Sequence, residues 1–339
     1  MNSGTLVSVI IPTTRRPDLV QRALQSVFSQ THSNLEIIVV VDGPNPETME
    51  VLARLPEPRL KIIQNDTPVG AGAARNRGAA SASGAWLAFL DDDDAWVPEK
   101  IERQIQVAEG PGGWSLVSCS CRVFTPEGTY IWPRQLFDGS IPVDEYLFDR
   151  RTFFRGETTF ATPSILVSKS LFDQTGFGTS RQNEDTTLLL RVTKQANGRI
   201  IMLRDPLVIL YQEEQRESLG STYSWREMLV WLDEMDSLIT KRAYSGFCLI
   251  YLGSQAARHR DYSAFFILLS RSFRRGKPRP IHVVTFLLFW ILPIGYRRRI
   301  RALVSSIGRP GTPNANANVP VARQASTIAE SGSLDANSS

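Results

Sequence analysis

Four consecutive carboxylates at positions 91–94 are the residues whose type and spacing point most directly to chemistry. They follow a short apolar run at residues 87–90 and precede Pro98, which is typical of the first turn of a helix. The apolar run is too short for a helix, so the acids are predicted to lie in a strand-to-helix loop. Adjacent carboxylates repel one another, and a divalent cation or several hydrogen-bond donors would neutralise them. The alternative is a loop that only caps the helix starting near Pro98.

A second acidic pair, Glu184 and Asp185, follows Asn183 directly before a predicted helix. In isolation these residues favour a helix N-terminus, where Asn caps the first turn and acidic side chains complement the helix dipole. The histidines are few and widely spaced, which disfavours a histidine-based metal site or triad: His32, His259 and His282. General acid–base chemistry is therefore expected to fall to carboxylates.

The elements that position the first acids alternate between apolar strands and helices. The predicted strands span residues 6–11, 35–41, 60–63 and 86–90. Helices are predicted to begin at Pro17 and at Gly70. This alternation predicts an α/β fold with a mostly parallel, Rossmann-like sheet, in which ligands bind at the carboxyl ends of the strands. The polar residues expected to meet at those ends are Thr13, Asp42, Asp66 and the acids at 91–94.

The second half of the chain is less regular. Residues 125–159 are rich in aromatic and turn residues. The other elements predicted are strands at 115–124, 162–169, 200–203 and 207–211, a helix after Asp185, and helices between 221 and 273. A mixed region followed by a C-terminal helical appendage is therefore expected.

The net charge of +4 in 339 residues is concentrated in one block. Residues 271–301 hold nine Lys or Arg and no Asp or Glu, and they flank a 14-residue apolar run at 281–294. A membrane-spanning helix needs about 20 apolar residues, so this run is better suited to lying on an anionic membrane surface. A core helix with a solvated basic rim is the equal alternative. Nucleic acid is not expected, because the basic residues do not alternate with isolated stacking aromatics.

Two further observations bear on the class of protein. No Walker-type or Gly-x-Gly-x-x-Gly loop follows the first strand, which disfavours an ATPase or a dinucleotide enzyme. The N-terminus lacks a basic segment followed by an apolar core, so a cytoplasmic location is expected, peripheral at the inner face of the plasma membrane if residues 271–301 bind lipid. We interpret Cys119, Cys121 and Cys248 as small buried side chains in a reducing compartment.

Four sequence motifs together resemble family-2 glycosyltransferases of the GT-A fold. They are Val7-Ser8-Val9-Ile10-Ile11-Pro12-Thr13; Glu36-Ile37-Ile38-Val39-Val40-Val41-Asp42-Gly43; Gly70 with Ala74-Arg75-Asn76-Arg77-Gly78; and Phe89-Leu90-Asp91-Asp92-Asp93-Asp94. The resemblance covers about residues 5–215. It implies an inverting transferase that moves one sugar from a nucleotide diphosphate-sugar donor to a glycan or lipid-linked acceptor in cell-envelope or exopolysaccharide synthesis.

The resemblance also implies roles for individual residues. On the donor side, Asp42 would accept a hydrogen bond from the base and Arg75 would lie beside the nucleotide. Pro12 and Thr13 would line the nucleotide base pocket. The remaining implied donor-binding residues are Arg15, Asp91 and Asp92. Asp93 with Asp91 would hold Mn²⁺ or Mg²⁺, which stabilises the leaving diphosphate. Asp185 would be the general base, with Glu184 beside it as the second catalytic residue, and this role can coexist with helix capping.

The sequence departs from the family pattern in two places. Asp92 with Asp94 has the same spacing as Asp91 with Asp93, so the metal-binding pair stays open. Residues 212–216 lack the Gln-x-x-Arg-Trp signature of processive synthases, which favours transfer of a single sugar. A sugar nucleotidyltransferase is an alternative, but it would need a glycine-rich basic loop after the first strand. A non-catalytic nucleotide-sugar-binding module is another.

We predict from these observations that the chain has four parts. Residues 1–125 form the nucleotide-sugar-binding half, and residues 126–215 form the acceptor-binding and catalytic half. Residues 216–307 form the helical region with the membrane-associating segment, and residues 308–339 form a disordered tail.

Overall fold

A mixed sheet runs through the computed structural model, which describes residues 4–126, 128–152, 158–178, 180, 183–212, 224–292 and 296. Its strands are β1 (Val7–Thr13), β2 (Leu35–Val41), β3 (Leu60–Gln64), β4 (Trp86–Phe89), β5 (Ala95–Trp96), β6 (Leu116–Thr125), β7 (Gly128–Trp132), β8 (Leu166–Ser168) and β9 (Ile200–Tyr211). The helices of the first part are α1 (Pro17–Phe28), α2 (Pro46–Ala53), α3 (Ala71–Ala80), α4 (Lys100–Ala108), α5 (Val143–Phe148), α6 (Lys169–Thr175) and α7 (Glu184–Lys194). The helices that follow are α8 (Trp225–Glu234), α9 (Lys241–Gly246), α10 (Gly253–Arg258), α11 (Ser263–Arg275) and α12 (Pro280–Ile291), with a π-helical stretch, Phe247–Leu252, between α9 and α10.

The first four strands form the parallel half of the sheet, in the order β3-β2-β1-β4. Every residue of β1 is buried, because helices cover both faces of the sheet. Val9 and Ile11 enter the core beneath α1, whereas Ile10 points to the opposite face beneath α3. The predicted α/β fold of the GT-A type is confirmed, and the carboxyl ends of these strands meet at one edge.

The second half of the sheet is mixed. β8 pairs antiparallel with β4 and β6, while β6 pairs parallel with β9. The prediction of two short strands at 200–203 and 207–211 was wrong, since β9 is continuous. Pro206, which has no N–H, lies opposite Ser120 where the register shifts, so the irregularity is absorbed without breaking the strand. The predicted strand at 162–169 is reduced to β8, preceded by a single 3₁₀ turn, Thr162–Ser164.

The C-terminal helices share a core with the sheet. Trp231, Phe247 and Phe286 belong to the same buried cluster as Ile10 and Phe89. Trp231 also donates a hydrogen bond from Nε1 to Thr187 Oγ1 in α7, over 2.9 Å. The helical region is therefore joined to the sheet by one continuous core, and residues up to Ile294 form one compact unit.

Several sequence predictions can be compared with this architecture. Cys119, Cys121 and Cys248 are buried and free, as interpreted. Among the described residues, no helix has both the length and the hydropathy needed to cross a bilayer. The predicted tail at 308–339 and residues 297–301 of the basic block lie outside the described residues. The proposed domain boundaries stay predictions.

The buried carboxylate of Asp149 connects α12 to the end of α5. It accepts hydrogen bonds from Arg279 Nε and Nη2, at 2.7 and 2.8 Å, and lies 3.3 Å from Nε2 of the fully buried His282. Burial alone would raise the pKa of Asp149, but the bonds from His282 and Arg279 outweigh it and hold that pKa well below its usual range. One face of α12 is thus part of the protein core.

We expect Asp149→Asn to lower the free energy of unfolding by about 2–4 kcal/mol, because it leaves Arg279 and His282 without their anion. Since the folded-state pKa is lowered, the Asp149 carboxylate contributes stability above about pH 4, and this contribution is lost as the pH falls further. Urea unfolding at a series of pH values measures both effects. Asp205→Asn is the control, because it breaks the surface pair with Arg103 and should change stability by less than about 1 kcal/mol. Equal effects of the two variants would contradict a stabilising role for this cluster.

Candidate active site

The loop between β4 and β5 brings three carboxylates together. Oxygens of Asp91, Asp93 and Asp94 all lie within 4.8 Å of one another. A tight turn makes this possible, because the backbone N–H of Asp94 donates to the carbonyl of Asp91 over 3.1 Å. Carboxylate oxygens are the ligands preferred by Mg²⁺ and Mn²⁺. The donor set therefore fits a hard divalent cation.

Asp92 is not a member of this group of three carboxylates. Its carboxylate accepts a hydrogen bond from Thr13 Oγ1 over 2.8 Å and one from Arg16 Nη1 over 3.2 Å. Burial raises the pKa of Asp92 to about 6, and the two donors offset only part of that rise. Its side chain connects the end of β1 to the acidic loop. These contacts favour Asp91 with Asp93, over Asp92 with Asp94, as the metal-binding pair.

Two arginines of the α1 region support the acidic loop, and the sequence analysis missed both. Arg16 Nη1 lies 3.4 Å from the carboxylate of Asp93. Arg22 donates to the backbone carbonyl of Asp93 over 2.5 Å, and its guanidinium lies 4.0 Å from the ring centroid of Tyr211. The signal in the sequence was the pair of arginines at and near the start of α1, directly after the first strand. The two cations offset part of the loop's negative charge.

Arg75 joins the acidic loop to the second acidic pair. This buried side chain, projecting from α3, forms an ion pair with Asp91 and lies 3.5 Å from a carboxylate oxygen of Glu184. Its guanidinium also lies 5.3 Å from the ring centroid of Phe177. The predicted donor-side residue therefore contacts a member of the predicted catalytic pair, although 109 positions separate Arg75 from Glu184.

Glu184 and Asp185 begin α7 beside Arg75. The side chain of Asn183 makes no capping hydrogen bond, whereas Asp185 accepts one from the backbone N–H of Thr186 over 2.6 Å. Burial raises the pKa of Asp185, which the Thr186 bond and Arg75 oppose. Burial is also the main cause that raises the pKa of Glu184. Asp185 thus takes part in the first helical turn and is also a carboxylate with the raised pKa that suits a base.

A pocket of about 320 Å³ opens beside the ends of β1 and β2, and it is lined by Thr14, Arg15, Asp42, Gly43, Pro44 and Pro68. Asp42 accepts hydrogen bonds from the backbone N–H groups of Val69 and Gly70, each over 2.8 Å, and from Asn65 Nδ2 over 2.7 Å. A carboxylate has about four acceptor positions, so it can take one more donor. Asn65, instead of the exposed Asp66, joins this cluster.

Three residues predicted to bind the donor, Pro12, Thr13 and Arg15, differ in their position relative to this pocket. Arg15 lines it, in a left-handed backbone conformation with φ 46° that is uncommon outside glycine and is often found at functional sites. Pro12 is buried within β1, and Thr13 bonds to Asp92. Neither lines the pocket; both are buried and lie opposite Val40 and Val41 of β2. The loop immediately after the strand, with Thr14 and Arg15, lines it instead.

Comparison with known proteins decides the family. The model of the family described as "Glycosyl transferase family 2" matches residues 8–176, from β1 through α6 and including the acidic loop. This chain belongs to glycosyltransferase family 2. The recognition made from the four sequence motifs is confirmed.

Individual relatives of this family-2 glycosyltransferase cover different shares of it. An uncharacterized glycosyltransferase of Haemophilus influenzae is 28% identical over 221 residues, which are 64% of this chain and 71% of that protein. WfaP of Escherichia coli, a UDP-Glc:alpha-D-GlcNAc-diphosphoundecaprenol beta-1,3-glucosyltransferase, is 38% identical over 104 residues, 31% of this chain and 41% of that protein. The crystal structure of S. aureus TarS 1-349 in complex with UDP-GlcNAc superposes with a TM-score of 0.57 at 16% identity, covering 86% of this chain and 92% of that one. This last likeness shows a shared fold.

Close contact between α3 and α7 positions the transferase's Arg75 against Glu184. A Cβ atom on Gly72 would lie 3.0 Å from Glu184 Cβ and 3.1 Å from the carbonyl oxygen of Gly178. Gly78, on the same helix, faces the sheet, where a Cβ would lie 2.6 Å from Ile10 Cγ2. The two glycines therefore allow close approach on different sides of α3.

We expect Gly72→Ala to lower the turnover number about tenfold with little change in melting temperature, since it displaces the start of α7 without filling the core. Gly78→Ala should instead lower the free energy of unfolding by about 1–3 kcal/mol through overpacking against Ile10. Donor turnover and thermal unfolding, measured on both variants, separate the two effects. If Gly72→Ala proves fully active, α7 does not need this spacing.

Proposed function

We propose that this family-2 enzyme transfers a single sugar from a nucleotide diphosphate-sugar to an acceptor hydroxyl, with inversion at the anomeric carbon. The observation that carries the proposal is that Arg75 contacts both Asp91 of the acidic loop and Glu184 at the start of α7. Direct displacement needs a leaving-group site and a base on opposite sides of the reacting carbon. The acidic loop and Asp185 would supply these two groups.

The donor is proposed to bind along the carboxyl ends of the parallel strands. Its base would enter the pocket beside Asp42 and Arg15, and Arg75 would lie beside the diphosphate. Asp91 and Asp93, with Asp94 next to them, would hold Mn²⁺ or Mg²⁺. Once bound, that ion would stabilise the negative charge of the departing nucleoside diphosphate.

The protein's own residues would prepare the acceptor. Asp185 would accept the proton of the attacking hydroxyl, for which its raised pKa makes it a better base than an ordinary aspartate. Arg75 would keep Glu184 ionised and in place beside it. Arg16 and Arg22 would hold the acidic loop in position through Asp92 and Asp93.

The acceptor is proposed to be a lipid-linked oligosaccharide in cell-envelope or exopolysaccharide synthesis. Support comes from the names of relatives: WfaP acts on a diphosphoundecaprenol-linked sugar, and a succinoglycan biosynthesis protein, ExoO of Rhizobium meliloti, is 34% identical over 106 residues. The matches span 41% and 30% of those two proteins. An acceptor of this kind is held in a membrane, and the enzyme would work at the membrane surface.

A donor screen tests the proposal. Purified protein is incubated with Mn²⁺ and UDP-glucose, UDP-GlcNAc or GDP-mannose, and donor binding is followed by thermal shift, since a ligand that binds only the folded state raises the melting temperature. Transfer to GlcNAc-diphosphoundecaprenol is then measured, and the anomeric configuration of the product is read by NMR. Stabilisation by one donor and an inverted product support the proposal. Binding without either transfer or donor hydrolysis would instead indicate a non-catalytic module.

A further inference from the structure

The exposed face of α11 is aromatic. Tyr262, which immediately precedes the helix, is 68% exposed, Phe266 is 76% exposed and Phe273 is 58% exposed. At about 100° per residue these three side chains fall on one side of the helix. The opposite side, with Ala264 and Leu268, lies in the core. Large exposed side chains that align in this way indicate an interaction surface and not scattered apolar residues.

The exposed face of α12 is aliphatic. Val284, Leu288 and Ile291 are 46, 38 and 71% exposed, whereas His282 and Phe286 on the other side are fully buried. The exposed side of the helix is therefore apolar, and the other side packs against the protein. A helix of 12 residues is about 18 Å long, which is too short to cross a bilayer but suitable for lying along its surface.

The two exposed faces adjoin one another. The ring centroid of Tyr262 lies 5.6 Å from that of Trp290, the residue before Ile291. Beneath them, Phe265 of α11 contacts both Phe286 and Trp290 of α12, at centroid distances of 5.1 and 5.4 Å. We call the combined surface the outer helix face; its residues are Tyr262, Phe266, Phe273, Val284, Leu288 and Ile291. Aromatic rings such as Tyr262 and Trp290 at its border suit a boundary between water and lipid.

The charged residues within α11, α12 and the segment between them are all basic. Residues 262–292 contain five Lys or Arg and no Asp or Glu. Arg271 and Arg275 pair with Asp233, and Arg279 pairs with Asp149. Arg274 and Lys277 are exposed, and within the described part of the chain neither is bonded to a carboxylate. A second copy of the chain on this face would bring a like-charged rim against itself, whereas anionic lipid headgroups would complement it.

We propose that the outer helix face is a docking surface for an anionic phospholipid bilayer, with α11 and α12 lying in the plane of the membrane. Apolar side chains enter the acyl region, while Arg274 and Lys277 contact the headgroups. The proposal extends the membrane-associating segment predicted at 271–301 towards the N-terminus, because the surface begins at Tyr262. It does not depend on the transfer reaction, and it goes beyond the proposed activity by assigning the surface that holds the enzyme on its membrane.

Vesicle flotation with the full chain tests the proposal. The wild type is expected to float with vesicles of phosphatidylethanolamine and phosphatidylglycerol and to float less with phosphatidylcholine alone. Phe266→Ser combined with Ile291→Ser should reduce partitioning about tenfold or more, because two apolar anchors are lost. The matched control is Ile131→Ser combined with Val230→Ser, which changes side chains that are 43 and 59% exposed on β7 and α8 and should float like the wild type. Arg274→Glu combined with Lys277→Glu should abolish the preference for phosphatidylglycerol.

Two further measurements distinguish the possible failures. Light scattering without lipid reports the oligomeric state, and a wild-type dimer that the Phe266/Ile291 variant converts to a monomer, without vesicle binding by either, would show that the face joins two copies and would overturn the proposal. Equal flotation of wild type and variant would overturn it as well. UDP-glucose hydrolysis and the melting temperature should be the same in the variant and the wild type. Loss of flotation with hydrolysis retained supports membrane docking independently of the acceptor.

Discussion

Asp185→Asn should lower the turnover number for sugar transfer by about 10²- to 10⁴-fold, because it removes the group proposed to accept the acceptor proton. The amide oxygen introduced by this substitution can still accept the hydrogen bond from the Thr186 N–H, so the first turn of α7 should keep its geometry. The KM for the donor should change by less than about threefold, since the residue acts on the acceptor side and in the transition state. Initial rates at saturating and at limiting donor concentration separate the two parameters.

Stability and pH provide the controls for this variant. The folded-state pKa of Asp185 is raised, so its ionised form is less favourable in the folded than in the unfolded chain, and Asp185→Asn should not lower the melting temperature. For the same reason the wild-type rate should fall, as the pH is lowered, at a higher pH than an ordinary aspartate would give. Asp173→Asn, on the exposed face of α6, should keep wild-type rates. A fully active Asp185→Asn enzyme that binds donor normally would refute the assignment of the base.

The parallel half of the fold could be predicted from local pattern alone. The runs that became β1 and β2 are apolar at nearly every position, which happens when helices cover both faces of a strand. The second half gave weaker signals. α5 has six residues and β7 is exposed along most of its length, so neither shows a periodicity that distinguishes it from a turn-rich loop. Continuity of β9 through Pro206 depends on pairing with a strand some 80 positions away, which no local window contains.

At the candidate site, too, some residues could be predicted from local pattern, whereas their contacts could not. Asp42 and the acids after β4 were found because they end predictable strands. The contacts that surround these residues join positions far apart in the sequence: Arg75 with Glu184, and Thr13 with Asp92. A sequence motif identifies such residues but not the atoms they contact, so it could not show that Arg15, and not Pro12, lines the pocket beside Asp42. The choice between Asp91 with Asp93 and Asp92 with Asp94 as the metal-binding pair needed the contacts of Asp92 with Thr13 and Arg16.

If Asp91 and Asp93 hold the metal, substitutions at Asp93 and at Asp92 should differ strongly in their effect on Mn²⁺ binding. Asp93→Asn should weaken Mn²⁺ binding and transfer activity by about 100-fold or more, since even residues that only support metal ligands typically give 10- to 100-fold losses. Asp92→Asn should change Mn²⁺ affinity by less than about threefold, because Asp92 faces Thr13 and Arg16, and an amide can keep the Thr13 hydrogen bond. Calorimetric titration of Mn²⁺ in the presence of UDP, without acceptor, measures affinity separately from activity.

Comparing Asp92→Asn with Asp93→Asn identifies the metal ligands, which removal of the metal alone does not. EDTA should abolish wild-type activity, and excess Mn²⁺ should restore it, but that result cannot identify the ligands. If Asp92→Asn, instead of Asp93→Asn, loses Mn²⁺ affinity, the ion is held by the register that starts at Asp92, and the loop must rearrange when the donor binds. If neither variant loses affinity and EDTA has no effect, Arg16, Arg22 and Arg75 must balance the charge of the diphosphate instead, since they are the cations that contact this loop in the described residues. Loss confined to Asp93→Asn is the outcome that the observed turn from Asp91 to Asp94 predicts.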